Sequence, residues 1–247
     1  MAGLNLPIIG YMHSPYTEKF GIPRQPNLVQ VESYIEMAAP YNDLLAFEGI
    51  EAFSHLWLLW QFHDNKNQQD SGAFRPQVRP PRLGGNKKIG VFATRSMYRP
   101  APVGLSVVRL KKVEKNGKSV RVYVTGSDLL HGTPIVDIKP YIQYSDAVHD
   151  AQSAYAQDEP ARKQVLWLAE AEQQKQALLQ QNRITAQVIN ELEQVLALDP
   201  RPAYQEDEDR VYGMLFAAVN VKFKVSAARV EIQELMAAQP LIRQPAD

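Results

Sequence analysis

Two arginines four residues apart stand in a proline-rich segment that suits anion binding. Residues 90–104 read Gly-Val-Phe-Ala-Thr-Arg-Ser-Met-Tyr-Arg-Pro-Ala-Pro-Val-Gly, and we predict that Val91–Ala93 is a short strand leading to Arg95 and Arg99. Proline fixes φ and lacks the amide donor of a ladder, so the residues after Arg99 should form a stiff loop. A guanidinium on such a loop can bind a carboxylate or phosphate, or stack on a flat ring.

Basic residues are concentrated in one part of a chain that has no net charge. Between Arg75 and Val124 there are thirteen lysines and arginines and one acidic residue, Glu114, so this stretch carries +12 and the rest carries −12. Such clustering indicates contacts with phosphates. The alternative is a solvated basic face that pairs with acidic residues elsewhere in the fold.

Composition excludes several classes of site. The chain has 247 residues, of which 45% are hydrophobic, so it can form one large domain or two smaller ones. It contains no cysteine, which excludes disulfides and cysteine nucleophiles and suits a cytoplasmic location. The five histidines lack metal-site spacing, so we predict no metal. The apolar run Leu56–Trp60 is too short to span a membrane, and we expect neither a membrane partner nor a signal peptide.

Short β segments and turn residues dominate residues 1–148. The strands that we predict are Leu6–Met12, Leu28–Met37, Ser54–Phe62 (buried on both faces), Val91–Ala93, Leu105–Val113, Ser119–Ser127 and Ile135–Ile138, with a short helix at Asn42–Glu48. Asn116-Gly117 predicts a hairpin turn. The fragment Gly84-Gly85-Asn86 lacks dinucleotide-binding spacing and predicts a turn. The fold class is therefore a mainly β domain, a barrel or a sandwich, and not a Rossmann fold.

Residues 149–247 read as a small α+β domain. Pro160 predicts the start of a helix that runs to about Gln180, and a second helix with Ile184 and Leu196 on its apolar face should end at Asp199-Pro200. Strands are predicted over Tyr212–Val225 and Arg229–Leu235.

Polar residues that can carry chemistry follow several of the predicted strands. Asp128 and His131 precede a Gly-Thr-Pro turn, and Asp137 and Lys139 share a face of the next strand, either as an ion pair or as ligand contacts. His63 follows the end of an apolar strand. Ser14-Pro15-Tyr16, Lys19 and Pro23-Arg24-Gln25 are predicted to form a rigid polar loop that can bind a ligand. Arg201 and Tyr204 suit phosphate binding and base stacking, and the alternative is that they only mark the end of a helix.

Six motifs in order along the chain resemble those of the TrmO family, also called TsaA-like or YaeB-like, of tRNA N6-threonylcarbamoyladenosine methyltransferases. The motifs are Ser14-Pro15-Tyr16, Pro23-Arg24-Gln25, Phe53-Ser54-His55, Gly90–Gly104, Asp128–Tyr141 and Asp199–Tyr204. The resemblance implies a β-barrel with a small C-terminal domain, S-adenosylmethionine bound outside any Rossmann fold, tRNA as substrate, and a homodimer with the cofactor near the subunit interface.

The resemblance also implies roles for individual residues. Cofactor contacts carry over to Pro23, Arg24, Gln25, Phe62, His63, Arg95, Leu105, Asp128, Leu129, Leu130 and His131. Contacts with tRNA carry over to Arg99, the basic segment, Arg201 and Tyr204. Two positions depart from the family pattern, since Ala101 stands where asparagine is usual and His131 where aspartate is usual.

Methyl transfer to the poorly nucleophilic N–H of this nucleoside needs a proton acceptor. Asp128, His131 and Asp137 are all candidates, and the sequence does not rank them. Arg99 or Lys139 can pair with the threonyl carboxylate of the substrate. Two other functions stay open at this point: a non-enzymatic RNA-binding adaptor, and methyl transfer to another RNA or to a small molecule.

Overall fold

The computed structural model describes residues 5–65, 74–83, 86–201, 205 and 207–238. They form two compact units. The first consists mainly of Pro23–Glu159 together with the residues before Pro15. The second contains Pro15–Ile22, Pro160–Arg201 and the residues from Asp207 onward. Two described stretches, residues 15–22 and 149–159, lie in a different unit from the one that the predicted contiguous domains, 1–148 and 149–247, gave them.

Strands outnumber helices in both units. The strands are β1 (Gly10–His13), β2 (Glu32–Met37), β3 (His55–Gln61), β4 (Gln77–Val78), β5 (Ile89–Gly90), β6 (Val103–Asn116), β7 (Ser119–Thr125), β8 (Pro134–Pro140), β9 (Gln164–Trp167), β10 (Tyr212–Phe216), β11 (Val219–Val225) and β12 (Arg229–Ala237). The helices are α1 (Gln143–Asp146), α2 (Ala169–Gln180) and α3 (Ala186–Ala197). Short 3-10 turns cover Leu44–Phe47, Ile50–Ala52, Pro81–Leu83, Val91–Ala93 and Ala154–Ala156.

A closed antiparallel barrel forms the first unit, with strand order β1-β2-β7-β6-β3-β8. Alternate residues of each strand point inward, and Met12, Ile35, Leu58, Val108 and Val122 are completely buried in its core. This architecture confirms the predicted non-Rossmann fold class and decides between barrel and sandwich.

The predicted hairpin at Asn116-Gly117 joins β6 to β7, where Asn116 lies opposite Ser119 and Gly117 has a φ of 60°. Glycine tolerates this left-handed conformation because it has no Cβ. The hairpin matters for the site described below, since β6 and the residues after β7 each supply one of its side chains.

Two strand predictions in the first unit were wrong. Val91–Ala93 is a 3-10 turn, because the ladder between β4 and β5 ends at Gly90 and the amide of Val91 donates to the carbonyl of Pro76 at 2.9 Å. Strand β3 is buried on one face only. Leu56 and Leu58 are fully buried, whereas Trp57 on the other face is half-buried and its indole donates to Asp146 at 2.8 Å.

The second unit is a four-stranded sheet with order β10-β11-β12-β9, against which α2 and α3 pack. The predicted helix from Pro160 was wrong in its first part, because Gln164–Trp167 pairs in parallel with β12. Thr185 caps α3 by accepting from the amide of Val188 at 3.2 Å. The predicted strand over Tyr212–Val225 is the hairpin of β10 and β11.

Residues 15–22 complete the core of the second unit, although they precede most of the first in sequence. Tyr16 pairs with Phe216 in an isolated bridge and is 2% exposed. The Phe20 ring stacks on Tyr212 and Phe223, with 6.3 Å between ring centroids in each pair.

Candidate active site

Side chains from three of the sequence motifs converge beside β6. The Nη1 atom of Arg95 donates to Oε1 of Gln25 at 2.6 Å, across 70 residues of sequence. The charge of Arg95 also acts on the carboxylate of Asp128, where it opposes part of the larger effect of burial on the pKa. The structure therefore brings together a guanidinium, an amide and a carboxylate, all of which the sequence singled out.

Asp128 is a desolvated carboxyl group with a hydroxyl partner. Burial raises its pKa to about 6, and the hydrogen bond that Ser106 Oγ donates to Oδ1 at 2.7 Å only partly offsets the burial. Ser106 in turn accepts from the indole Nε1 of Trp60 at 3.0 Å. A chain of hydrogen bonds thus runs from Trp60 on β3 through Ser106 on β6 to Asp128 after β7.

The Trp60 indole is fixed by close packing. It lies against Gly104 of β6, where any Cβ would overlap the indole ring, so no larger residue fits there unless Trp60 moves. The Phe62 ring meets the indole edge to face at a centroid distance of 4.4 Å. The amide of Phe62 donates to the carbonyl of Pro102 at 2.9 Å, which ties the proline-rich loop to the end of β3.

The loop after Asp128 is fixed by its backbone. Leu129 is fully buried, and its carbonyl accepts from Ser14 Oγ at 2.8 Å. The carbonyl of Leu130 accepts from Thr133 Oγ1 at 2.7 Å. The half-buried His131 ring meets the ring of His13 edge on, 5.0 Å away. A loop with its backbone fixed in this way can present polar groups in one arrangement.

The remaining predicted cofactor contacts lie at different depths. Pro23 is buried, Arg24 is exposed, and His63 is exposed just beyond the end of β3. Leu105 is 51% exposed on β6, next in sequence to Ser106. An exposed leucine beside a buried polar network is a surface on which a flat apolar group can pack.

Asp137 and Lys139 form an exposed ion pair on β8, with 2.8 Å between Lys139 Nζ and Asp137 Oδ2. The amide of Ile138 donates to the other carboxylate oxygen at 2.9 Å. Both oxygens of Asp137 therefore have donors, and the ion pair anticipated from the sequence exists at the surface rather than in the core.

The arginines predicted to contact tRNA are partly occupied within the protein. Arg99 is half-buried and donates from Nη1 to the carbonyl of Thr94 at 3.0 Å. Arg201 forms a bidentate pair with Asp199, in which both N–O distances are 2.8 Å. Tyr204 lies outside the described residues.

Asp199 and Arg201 belong to a fixed corner of the second unit. Lys163 lies 3.6 Å from Asp199 and donates to the carbonyls of Ser226 and Ala227 at 2.7 Å each. Burial raises the pKa of Asp199, but the hydrogen bonds and charge of Arg201 outweigh burial and lower it overall. This corner has the form of a structural ion-pair network at the exit of α3.

Ser106 and Trp60 are site residues that the sequence analysis missed. Nothing local marks Ser106, which is one polar residue in the long alternating strand β6, and Trp60 reads as core. A buried serine facing inward is the available signal, because a buried hydroxyl requires a hydrogen-bond partner.

Two kinds of feature are absent from the residues that the structure describes. Among them, no three His, Asp or Glu side chains are grouped so that they could hold a metal ion. None of their helices is both long and apolar enough to cross a membrane.

The chain is similar to known proteins that are named as methyltransferases. Residues 11–147 match the model of the tRNA-methyltransferase O N-terminal domain, and residues 160–238 match that of the TrmO C-terminal domain. The chain is 44% identical to the tRNA (adenine(37)-N6)-methyltransferase of Escherichia coli K12, over 94% of this chain and 97% of that protein.

A second curated relative and a solved structure agree with this result. The putative S-adenosylmethionine-dependent methyltransferase RcsF of Pseudomonas aeruginosa is 45% identical over 83% of this chain and 86% of its own length. A crystal structure of TrmO from the same species superposes with a TM-score of 0.77 at 33% identity, covering 96% of this chain and 99% of that one. Two family models that cover most of the chain in order, together with these relatives, show that the chain belongs to the TrmO family.

Proposed function

We propose that this protein transfers a methyl group from S-adenosylmethionine to N6 of the adenosine at position 37 of tRNA, beside the anticodon. Its substrate form is the N6-threonylcarbamoyl derivative of that adenosine. The observation that carries the proposal is the arrangement of Gln25, Arg95 and Asp128, in which Arg95 donates to Gln25 and its charge acts on the desolvated carboxylate of Asp128. Relatives of this chain are named as methyltransferases.

The residues present fit the chemistry of S-adenosylmethionine. Its carboxylate requires a cation, for which Arg24 and Arg95 are suited. Its ribose hydroxyls and amino group require acceptors, which Asp128 and the backbone of residues 129–131 provide. Its adenine requires an apolar surface, such as the exposed face of Leu105 with Phe62, and a polar edge contact such as His63.

When bound, the cofactor supplies an electrophilic methyl group on a positively charged sulfur. The protein then needs no covalent nucleophile; it must orient the acceptor nitrogen, exclude water and receive the proton that N6 loses. The cofactor would supply the methyl carbon and keep the electron pair of the broken carbon–sulfur bond on its sulfur, and a side chain of the protein would take the proton that N6 loses.

We assign that proton to the carboxylate of Asp128. A general base works best when its pKa lies near the working pH, and Asp128 has a pKa of about 6. Ser106 holds Oδ1 and fixes the orientation of the group. Asp137 is a weaker candidate because Lys139 and the amide of Ile138 already occupy its oxygens. His131 stays a second candidate, since the unprotonated nitrogen of a neutral imidazole can accept a proton.

On the tRNA side, we propose that Arg99 pairs with the threonyl carboxylate, since Asp137 already neutralises Lys139. Arg201 and Tyr204 are proposed to act on the tRNA backbone and bases. Because Asp199 and the carbonyl of Val225 already accept hydrogen bonds from the Arg201 guanidinium, a contact with tRNA would compete with these bonds.

We further propose that the protein works in the cytoplasm, where tRNA is modified, and as a homodimer with the cofactor near the subunit interface. Light scattering during size-exclusion chromatography tests the dimer. A mass equal to one chain at micromolar concentration would contradict it.

The function itself is tested by mass spectrometry of tRNA nucleosides. The purified protein, incubated with S-adenosylmethionine and tRNA from a strain that lacks the gene, should convert N6-threonylcarbamoyladenosine into its N6-methyl form. The cofactor alone should also raise the melting temperature, because a ligand that binds only the native state stabilises it. Binding of tRNA with neither effect would instead favour the adaptor function.

A further inference from the structure

Two phenylalanine rings lie paired on the surface of the first unit. Phe74 and Phe92 stack with 6.1 Å between centroids and 28° between ring planes, yet their side chains are 57% and 71% exposed. Two large apolar rings held together in water are unusual, because the hydrophobic effect favours burial of such side chains. The pair leaves ring surface open to a ligand.

The backbone beneath these rings is fixed. Gln77 pairs with Gly90 and Val78 with Ile89 in the ladder of β4 and β5, and Val91, next to Phe92, is 1% exposed. The hydroxyl of Tyr155 donates to the carbonyl of Ala93 at 3.3 Å. A rigid base of this kind lowers the entropy cost when a ligand stacks on the rings.

Charge around the pair is of one sign along the sequence. Residues 74–99 contain seven lysines and arginines and no acidic residue. Among those whose burial the structure describes, five are exposed: Arg75, Arg79, Lys87, Lys88 and Arg95. Exposed aromatic rings interleaved with basic residues are the combination that binds single-stranded nucleic acid, in which bases stack and phosphates pair with cations.

The pair also lies close to the proposed active site along the chain. Phe92 precedes Arg95 by three residues, a span of at most about 11 Å in extended chain, and Arg95 contacts Gln25. A nucleotide on the rings would therefore be a near neighbour of the nucleotide that reacts.

We propose that Phe74 and Phe92 form a stacking platform for an unpaired base of the tRNA anticodon loop that neighbours the methylated adenosine, while the basic residues of this segment contact its phosphates. The inference rests on the proposed function and adds a named RNA-binding element to it. A second copy of the chain fits this surface less well, because lysine is depleted in the cores of protein–protein interfaces.

The platform is tested with Phe74→Ala, Phe92→Ala and the double variant. Tyr144→Ala serves as the matched control, since Tyr144 is a 93% exposed aromatic residue of the same unit. The double variant should bind an anticodon stem-loop about 10- to 100-fold more weakly, with S-adenosylmethionine affinity and melting temperature unchanged. The control should bind RNA as the wild type does. Phe92→Tyr, unlike Phe92→Ala, should bind RNA as the wild type does, because it keeps the aromatic ring.

Salt dependence separates stacking from phosphate contacts. Arg75→Gln with Arg79→Gln should lower the slope of log K against log salt concentration by about 0.7 for each phosphate that the variant no longer binds. The phenylalanine variants should keep the wild-type slope while binding more weakly at every salt concentration.

The outcomes separate the platform from the proposed function. Wild-type RNA affinity in the double variant would overturn the platform, whether or not the wild-type protein methylates tRNA. A wild-type protein that neither binds the cofactor nor methylates tRNA would overturn the function itself. Conversion of a dimer to a monomer in the double variant, seen by light scattering, would assign the rings to a subunit interface and also overturn the platform.

Discussion

Two aspartates, one in each unit, show how environment gives one residue type opposite properties. Asp128 in the barrel unit has a serine hydroxyl as its side-chain partner, and burial raises its pKa to about 6. Asp199 in the second unit has Arg201 in a bidentate pair and Lys163 at 3.6 Å, and its pKa is lowered. Both stand in motifs that the sequence analysis singled out.

The difference teaches how to separate a reactive carboxylate from a structural one. A carboxylate that cations compensate is stabilised in its charged form and is a poor base. A carboxylate that is desolvated and only partly compensated holds its charge at a free-energy cost and accepts a proton readily at neutral pH. Sequence motifs mark both equally, so the partners and not the motif distinguish them.

The largest expected effect is on catalysis. Asp128→Asn should lower the single-turnover rate of methyl transfer at saturating cofactor by about 10²- to 10⁴-fold, because the amide cannot accept the proton. Asp137→Asn is the control and should change the rate less than about tenfold. If Asp128→Asn reacts at the wild-type rate and His131→Ala does not, the base is His131 and the assignment is wrong.

The next effect is on stability. Asp199→Asn should lower the free energy of unfolding at pH 7 by about 3 kcal/mol, since it leaves the partly buried Arg201 without its anion. Because the folded pKa of Asp199 is lowered, its contribution is present above the unfolded pKa and disappears as the pH falls through the folded pKa. Denaturant titration measures this change.

A matched control exists at Asp209, which is fully exposed and lies 3.8 Å from Lys224. Asp209→Asn should leave the free energy of unfolding nearly unchanged, because an exposed ion pair contributes little to stability. Equal destabilisation in the two variants would show that Asp199 is no more structural than a surface acid.

Substitution of Asp128 should change stability in the opposite direction. Its folded pKa is above its unfolded value, so the ionised form disfavours the native state fully above about pH 6 and not at all below the unfolded pKa. Asp128→Asn should therefore be more stable than the wild type at pH 8 by about 1–3 kcal/mol, and nearly equal to it at about pH 3.5. Denaturation midpoints at the two pH values check the sign, and a lower stability at pH 8 would contradict it.

The smallest effect is expected from Ser106→Ala. The serine hydrogen bond lowers the pKa of Asp128, so its removal should move the acid limb of the pH–rate profile upward by about one pH unit. Above that limb the rate should stay within a few-fold of the wild type. Ser119→Ala, which removes a partly buried serine hydroxyl elsewhere on the barrel, is the control. An unchanged pH–rate profile in Ser106→Ala would show that the serine does not position Asp128.

Most strands of the barrel could be predicted from local sequence. Their residues alternate between the core and the outside, and their turns contain residues that favour tight turns, such as Asn116-Gly117. The errors arose where distant pairing decides the structure. Gln164–Trp167 is a strand because it pairs with β12, and the local sequence does not predict a parallel partner more than sixty residues away. Val91–Ala93 has strand-like composition but follows the last rung of a two-residue ladder.

The candidate site was predictable to a similar degree. Arg95, Gln25 and Asp128 stand in motifs, and the structure places them together. Ser106 and Trp60 were missed because their roles exist only once three strands are adjacent. The Arg201 motif was identified, but sequence alone does not reveal that Asp199 already occupies the guanidinium.

The contribution of residues 15–22 to the second unit limits how the protein can be divided. A fragment that begins at Pro160 would lack the tyrosine and phenylalanine side chains that fill its own core, and would expose apolar surface around Phe216 and Phe223. A fragment truncated after Glu159 would keep these aromatic residues with nothing to cover them. We therefore expect that neither half folds when it is produced alone. A gene fusion or deletion that adds or removes the C-terminal part would also require changes in residues 15–22.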